Sequence, residues 1–306
     1  MNRHFIRRAL QVVLFAIVAR YLYVNWGDYE HVFRVARPLW RPLLASCILV
    51  GVAYVVLIQT WRLTVVAWGE RLGFRSAARI WFVSNLGKYL PGKVWAIAAM
   101  GTLSQQQGIS PAAAVGSSLV IQLVNLVTGF AVFLIAGANA VNVPAAALAA
   151  VVTLAIALAL APAALPHAVR LVNRISGRQI AVPHLPARAI WWAAVGTTLA
   201  WVLYGVAFRY FAIGMSAGAV GGALGDWTAI FVGPYLVGFI AVFAPGGIGV
   251  REVAMAEALQ RSGLAVGATA ALLVVGSRVW LTVLEIIPGV LLLLVKPPRQ
   301  DATSSR

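Results

Sequence analysis

The stretch Ala244-Pro-Gly-Gly-Ile-Gly-Val-Arg-Glu252 interrupts an apolar run, Trp227 to Phe243, and precedes a more amphipathic segment, Ala254 to Leu264. Pro245 removes a backbone donor, and Gly246 favours conformations that other residues avoid, so a helix cannot pass through cleanly. Arg251 and Glu252 place two charges beside the break in a chain where only 10% of residues are charged. Together these features predict a broken membrane helix whose freed backbone groups line a polar cavity. A tight turn outside the membrane is the alternative reading of the same signals.

The rest of the composition supports a membrane setting. A mean hydropathy of +0.88 and 61% hydrophobic residues over 306 positions exclude an ordinary soluble domain. The net charge of +16 sits in short loops between apolar runs, where it sets membrane orientation. No basic face with interleaved aromatics is present, so nucleic acid is not an expected partner. The single cysteine, Cys47, forbids an internal disulfide. His4, His31, His167 and His184 are scattered without metal-ligand spacing, and neither a metal nor a cofactor is expected.

In chain order, a basic head (Met1 to Arg8) precedes a first span, Ala9 to about Trp26, with Arg20 snorkelling or facing the bundle. A second span, Pro42 to Trp61, leads to a basic loop with Arg62, Arg71, Arg75 and Arg79. From Ile80 to Gln107, Pro91 and Gly92 divide the segment into halves each only about 16–22 Å long. A hydrocarbon core is about 30 Å thick, so a hairpin that enters and leaves on one side is predicted. Further spans follow at about Pro111 to Ala138, Pro144 to Leu165, Ala189 to Ile213 and Val266 to Val295. The loop Pro166 to Arg188 carries Arg170, Arg174, Arg178 and Arg188 with no acid, so it and the tail from Lys296 should be cytoplasmic.

The two breaks correspond. Leu90-Pro-Gly-Lys-Val94 precedes Gly108, which follows Pro91 by 17 positions; Ala244-Pro-Gly-Gly-Ile248 precedes Gly263, which follows Pro245 by 18. Three spans separate the copies, which therefore have opposite orientation. Interrupted segments in corresponding places of two inverted halves point to a central transport site. Chance similarity of two Pro-Gly breaks is the alternative.

The Pro245-Gly-Gly-Ile-Gly-Val-Arg-Glu252 run, the Gly263 turn, Arg278 and the closing Ile287-Pro-Gly289 resemble the lysylphosphatidylglycerol synthase transmembrane domain family. Lys88-Tyr-Leu-Pro-Gly-Lys-Val-Trp95 resembles the first half of the same pattern, and the likeness covers most of residues 80 to 295. The resemblance implies a flippase-like domain, found either in bifunctional synthase/flippases or alone. This chain has Trp95 and Ala96 where the family often has Gly and an acid, Ala99 or Met100 in place of an Arg, and only Gln122 for a Glu/Gln-Arg pair. That missing charge puts the substrate's identity in question. No aminoacyl-transferase domain is recognised, so no enzymatic activity is expected.

Ionisable residues at depth complete the candidate site. Arg278, Thr282 and Glu285 fall at i, i+4 and i+7, one stripe of the last span, which should face the protein interior. Arg278 and Glu285 lie about 10 Å apart along the axis, so each needs another partner, and Arg251 and Glu252 are available. Two readings follow: an ion-pair network that fixes packing, or Arg251 and Arg278 as phosphate ligands assisted by the half-helix N-terminus after Gly246. The second break contributes Pro245, Gly246, Gly247, Gly249, Arg251 and Glu252 to the candidate substrate site. The first break contributes Lys88, Pro91, Gly92 and Lys93.

The expectation is an all-α polytopic membrane protein with six full spans and two re-entrant hairpins in an inverted-repeat arrangement. It is read as a single domain over residues 1–298, with pseudo-repeats at about 9–138 and 144–295 and a tail at 299–306. The expected location is a bacterial or archaeal cytoplasmic membrane, with both termini cytoplasmic. The expected task is to move an anionic or phosphate-bearing lipid headgroup between leaflets. A non-transporting partner of a lipid synthase or glycosyltransferase and a small-solute transporter are the alternatives. Membrane lipids are the expected partners, with a homo-oligomer or a lipid-synthesising enzyme left open.

Overall fold

A computed structural model describes residues 38–89, 94–137, 186–218, 220–241, 247 and 249–294, with isolated positions between 152 and 174. The described residues are helical, and four of their helices are long and apolar enough to cross a bilayer. These are α1 (Trp40–Ala67), α4 (Pro111–Ala136), α5 (Ala187–Met215) and α8 (Gly267–Leu294). At 26 to 29 residues each is about 39–44 Å long, more than a hydrocarbon core needs. The other helices are α2 (Phe74–Asn85), α3 (Val94–Gln105), α6 (Leu224–Ile240) and α7 (Val250–Arg261), with a 3-10 turn at Leu86–Tyr89. At 12 to 17 residues these span only about 18–26 Å. The chain is a multi-pass helical membrane protein.

The expected spans at 9–26 and 144–165, the tail, and most of the basic loop before Arg188 lie outside the described residues. So do the break residues Pro91, Gly92, Lys93, Pro245 and Gly246. Where comparison is possible, three boundaries move. Helix α1 runs through Arg62 to Ala67, because Arg62 Nε donates to the Leu72 carbonyl at 2.6 Å and the helix need not end at the charge. Helix α2 begins at Phe74 rather than Ile80, burying Ala77, Ile80 and Phe82 while Arg75 faces outward. Helix α6 ends at Ile240, since the backbone leaves helical geometry at Ala241 (φ −66°, ψ 77°), four residues before Pro245.

Both pairs of short helices fold back on themselves. Ser76 Oγ donates to Gln107 Oε1 at 3.1 Å, joining the start of α2 to the chain just beyond α3. At the other end of the pair, a Cβ on Gly87 would sit 2.8 Å from the Ala96 nitrogen. In the second pair, Gly222 abuts Leu264 at the open end, while Gly238 and Gly247 touch at the tip. The pairs also end alike. Gly108 and Gly263 adopt φ +70° and +67°, the left-handed region that glycine enters without a Cβ clash. Each donates to the carbonyl three residues earlier, Gln105 or Gln260.

Helix α4 relates the two hairpins. Its start is tied to the mouth of the first, since Ser110 N donates to Glu70 Oε1 at 3.0 Å. Its end meets the mouth of the second, where a Cβ on Gly225 would sit 2.7 Å from the Ala136 carbonyl oxygen. The mouths therefore open at opposite ends of a 26-residue helix. Helices α1 and α5 form an antiparallel pair beside them, with Gly196 admitting Thr60 and the Leu39 N–H donating to the Gly214 carbonyl at 2.8 Å. The core is aromatic and aliphatic, built around Trp201, Phe208, Phe211, Trp227, Phe231 and Trp280.

Candidate functional site

The second hairpin carries its charges at the tip. Gly247 and Gly249 take φ +70° and +85°, so the chain can reverse into α7 where a side chain would be strained. Glu252 then sits at the third helical position, and its Oε2 accepts the Gly249 N–H at 2.7 Å. A carboxylate here satisfies a free donor and is favoured by the helix dipole. Its other oxygen faces α8, with Oε1 3.5 Å from Arg278 Nη1. The side chains of Arg278 and Glu252 are only 15% and 20% exposed.

Arg251 is more deeply placed, at 6% exposure. A Cβ on Gly238 would lie 2.9 Å from the Arg251 Cβ, so the glycine lets α6 and α7 close at this level. The guanidinium lies over two rings of α6, 5.5 Å from the Phe231 centroid and 5.3 Å from that of Tyr235. Phe231, Tyr235 and Gly238 fall at i, i+4 and i+7, so one stripe of α6 supplies both the rings and the gap. Such contacts are worth about 2 kcal/mol when water is excluded.

From this tip a chain of rings runs to the first hairpin. Tyr235 neighbours Phe231 at 6.2 Å, Phe231 stacks on Tyr204 at 5.6 Å, Tyr204 neighbours Tyr54 at 6.3 Å, and Tyr54 meets Phe82 of α2 at 5.4 Å. Tyr204 lies within electrostatic reach of Arg251, Tyr235 and Glu285, and its hydroxyl is hydrogen-bonded to Tyr54. Glu285 is 5% exposed on α8. Nearby, Gly289 packs against Leu86 of the first hairpin's 3-10 turn. Thus α8 meets the second hairpin at Arg278 and the first near Gly289.

The expected site residues separate into two groups. Arg251, Glu252 and Arg278 come together at one tip, and Glu285 lies two turns further along α8, with half-buried Thr282 between. Lys88 belongs to the 3-10 turn at the other tip. Sequence reading missed Tyr54, Tyr204, Phe231 and Tyr235. Phe231 and Tyr235 sit at i, i+4 directly before a charged break, a signal that could have found them. Tyr54 and Tyr204, on distant helices, offered none.

No individually curated protein matches the chain. A family model described as the lysylphosphatidylglycerol synthase TM region matches residues 8–287, from the head of the first expected span to within a turn of Gly289. Across that length, and with its charged hairpin tip on the quoted motif, the chain belongs to the lysylphosphatidylglycerol synthase transmembrane-region family.

Proposed function

We propose that this chain is a lipid flippase that moves a phosphate-bearing headgroup between leaflets of the cytoplasmic membrane. The observation that carries the reading is the buried Arg251 at a hairpin tip, next in the chain to Glu252, whose carboxylate meets Arg278 deep within the length of α8. Arg278 lies 11 residues beyond Gly267, roughly 16 Å into a helix of about 42 Å. A cation so far from either end is costly to bury unless it meets an anion, and a guanidinium fork suits a phosphate.

In this reading both hairpins are re-entrant and form an inverted repeat. Their tips meet α8 from opposite ends, so a headgroup passing between them would leave the second hairpin's arginines for the first hairpin's Lys88 and Lys93. The cytoplasmic side is the one holding the first hairpin's mouth, because Arg62, Arg71, Arg75, Arg79 and Arg188 all lie at that end. The competing reading, an ion-pair network that only fixes packing, is favoured by the Arg278–Glu252 pair, which needs no ligand.

The test is leaflet-resolved translocation of fluorescent phosphatidylglycerol in proteoliposomes. Translocation by the wild-type chain, lost in Arg251→Gln and Arg278→Gln variants that stay folded, supports a flippase. Equal rates in protein-containing and protein-free vesicles reject it.

A further inference from the structure

The loop between α1 and α2 borders an open cleft of about 440 Å³, lined by Arg62 and Val66 of α1 and by Glu70, Arg71, Leu72 and Gly73. That volume suits a small ligand or a headgroup. The Arg62 Nε donates to the Leu72 carbonyl at 2.6 Å, which fixes the guanidinium and leaves Nη1 and Nη2 as a fork. Glu70 is engaged elsewhere, since its Oε1 accepts the Ser110 N–H at 3.0 Å. Among the described residues, neither Arg62 nor Arg71 forms an ion pair. Two arginines and one glutamate give the lining a formal charge of +1, which one phosphodiester would cancel. Gly73 also starts α2, whose first turn has neither an acid nor a side-chain cap, so its free N–H groups add to the attraction for an anion.

The depth of the cleft decides the class of ligand. Arg62 lies about 33 Å along α1 from Trp40, at the far edge of a hydrocarbon core about 30 Å thick. Helix α5 marks the same level. Gly196 admits Thr60, so in this antiparallel pair Trp192 lies level with Thr64, and both Trp191 and Trp192 are exposed, as interfacial anchors are. Val66 in the lining and Phe74 next to Gly73 are exposed apolar side chains. A soluble anion gains nothing from them, whereas a phospholipid can rest the upper part of its chains there. We propose that this cleft binds the headgroup of an anionic phospholipid, with Arg62 and Arg71 as its phosphate ligands. A lipid held by both would join α1 to the loop that carries the first hairpin. The cleft lies at that hairpin's mouth, apart from the Arg251 tip of the second, and the proposal stands without the flippase reading.

Native mass spectrometry of the detergent-solubilised chain, titrated with short-chain phosphatidylglycerol, counts the bound lipids. Arg71→Gln should weaken one of them roughly fivefold, and Arg62→Gln with Arg71→Gln roughly 25-fold. Gly73→Asp should abolish it. That position has open space around it and aspartate caps helices well, so the variant should fold while its carboxylate repels the headgroup. Phosphatidylcholine and glycerol phosphate should not compete for this site. Arg75→Gln with Arg188→Gln removes the same charge outside the cleft and should change binding much less. Undiminished binding by folded Gly73→Asp overturns the proposal, as does an equal loss in the Arg75/Arg188 variant, which would mean diffuse attraction. Equal competition by glycerol phosphate reassigns the cleft to soluble anions and also overturns it. Loss of this lipid in Arg251→Gln, with Gly73→Asp unaffected, places all binding at the second tip. Loss of translocation in a folded Gly73→Asp is not required; a translocating variant that has lost the lipid separates this site from the flippase reading and supports it.

Discussion

Arg278 on the last helix places Nη1 3.5 Å from Glu252 Oε1, while the other oxygen of Glu252 holds the Gly249 N–H at 2.7 Å. One carboxylate therefore both starts α7 and fixes it to α8. If phosphate competes with it for the arginines, Glu252 is also the group that a substrate must displace.

Glu252→Gln separates these roles. If capping and neutralisation dominate, the variant should lose on the order of 3 kcal/mol, since a mostly buried cation loses the Glu252 carboxylate and α7 loses its cap. Adding Arg278→Gln should then recover part of that loss. If competition dominates, the single variant should keep its melting temperature and bind phosphatidylglycerol more tightly. Thermal melts and lipid affinity in one detergent decide between them.

Arg251→Lys should impair anionic-lipid transport nearly as much as Arg251→Gln, because an ammonium cannot supply two parallel donors. Tyr235→Leu removes one ring from beneath the guanidinium and should raise the lipid concentration needed for half-maximal transport. Tyr235→Phe keeps the face and should restore it. Equal effects of Leu and Phe would assign the role to the hydroxyl instead.

Close approach makes some glycines irreplaceable. Gly238→Ala should cost about 1–3 kcal/mol, because its Cβ would sit 2.9 Å from that of Arg251 with helix backbone on both sides. Gly51 has nothing within 4 Å, so Gly51→Ala should be neutral or slightly stabilising. Melting temperatures of the two variants make the comparison.

Opposite mouths predict opposite labelling. In a Cys47→Ser background, Gln106→Cys marks the mouth of the first hairpin and Arg261→Cys that of the second; both positions are exposed. A membrane-impermeant thiol reagent should reach the first only from the cytoplasmic side and the second only from outside. Labelling of both from one side would sink the inverted arrangement.

Much of the layout was legible in the residues themselves. Apolar runs long enough to span a bilayer, separated by Arg-bearing turns, placed α1, α4, α5 and α8 to within a few residues at most ends. The reason is physical: lipid demands long uninterrupted apolar helices, so membrane spans are written in local composition. The later glycines marked the ends of both short-helix pairs for a similar reason, since left-handed backbone at Gly108 and Gly263 is a local requirement. The spacing of Arg278 and Glu285 likewise required a partner from elsewhere, and Glu252 was one of two candidates.

Tertiary structure alone decided which partners meet. That Arg278 meets Glu252, and that Arg251 lies over Phe231 and Tyr235, depends on how far α7 folds back along α6. That distance is set by Gly238 and Gly247 touching across the tip, a contact between segments with no mutual signature in sequence. The ring chain from Tyr235 to Phe82 draws on four helices, whose side chains converge only after packing. The opposite mouths were inferred by counting spans, but their geometry came from Ser110 and Gly225 lying at the two ends of α4. Local chemistry determines where helices start, stop and break; the approach of backbones at small residues determines which charges face each other.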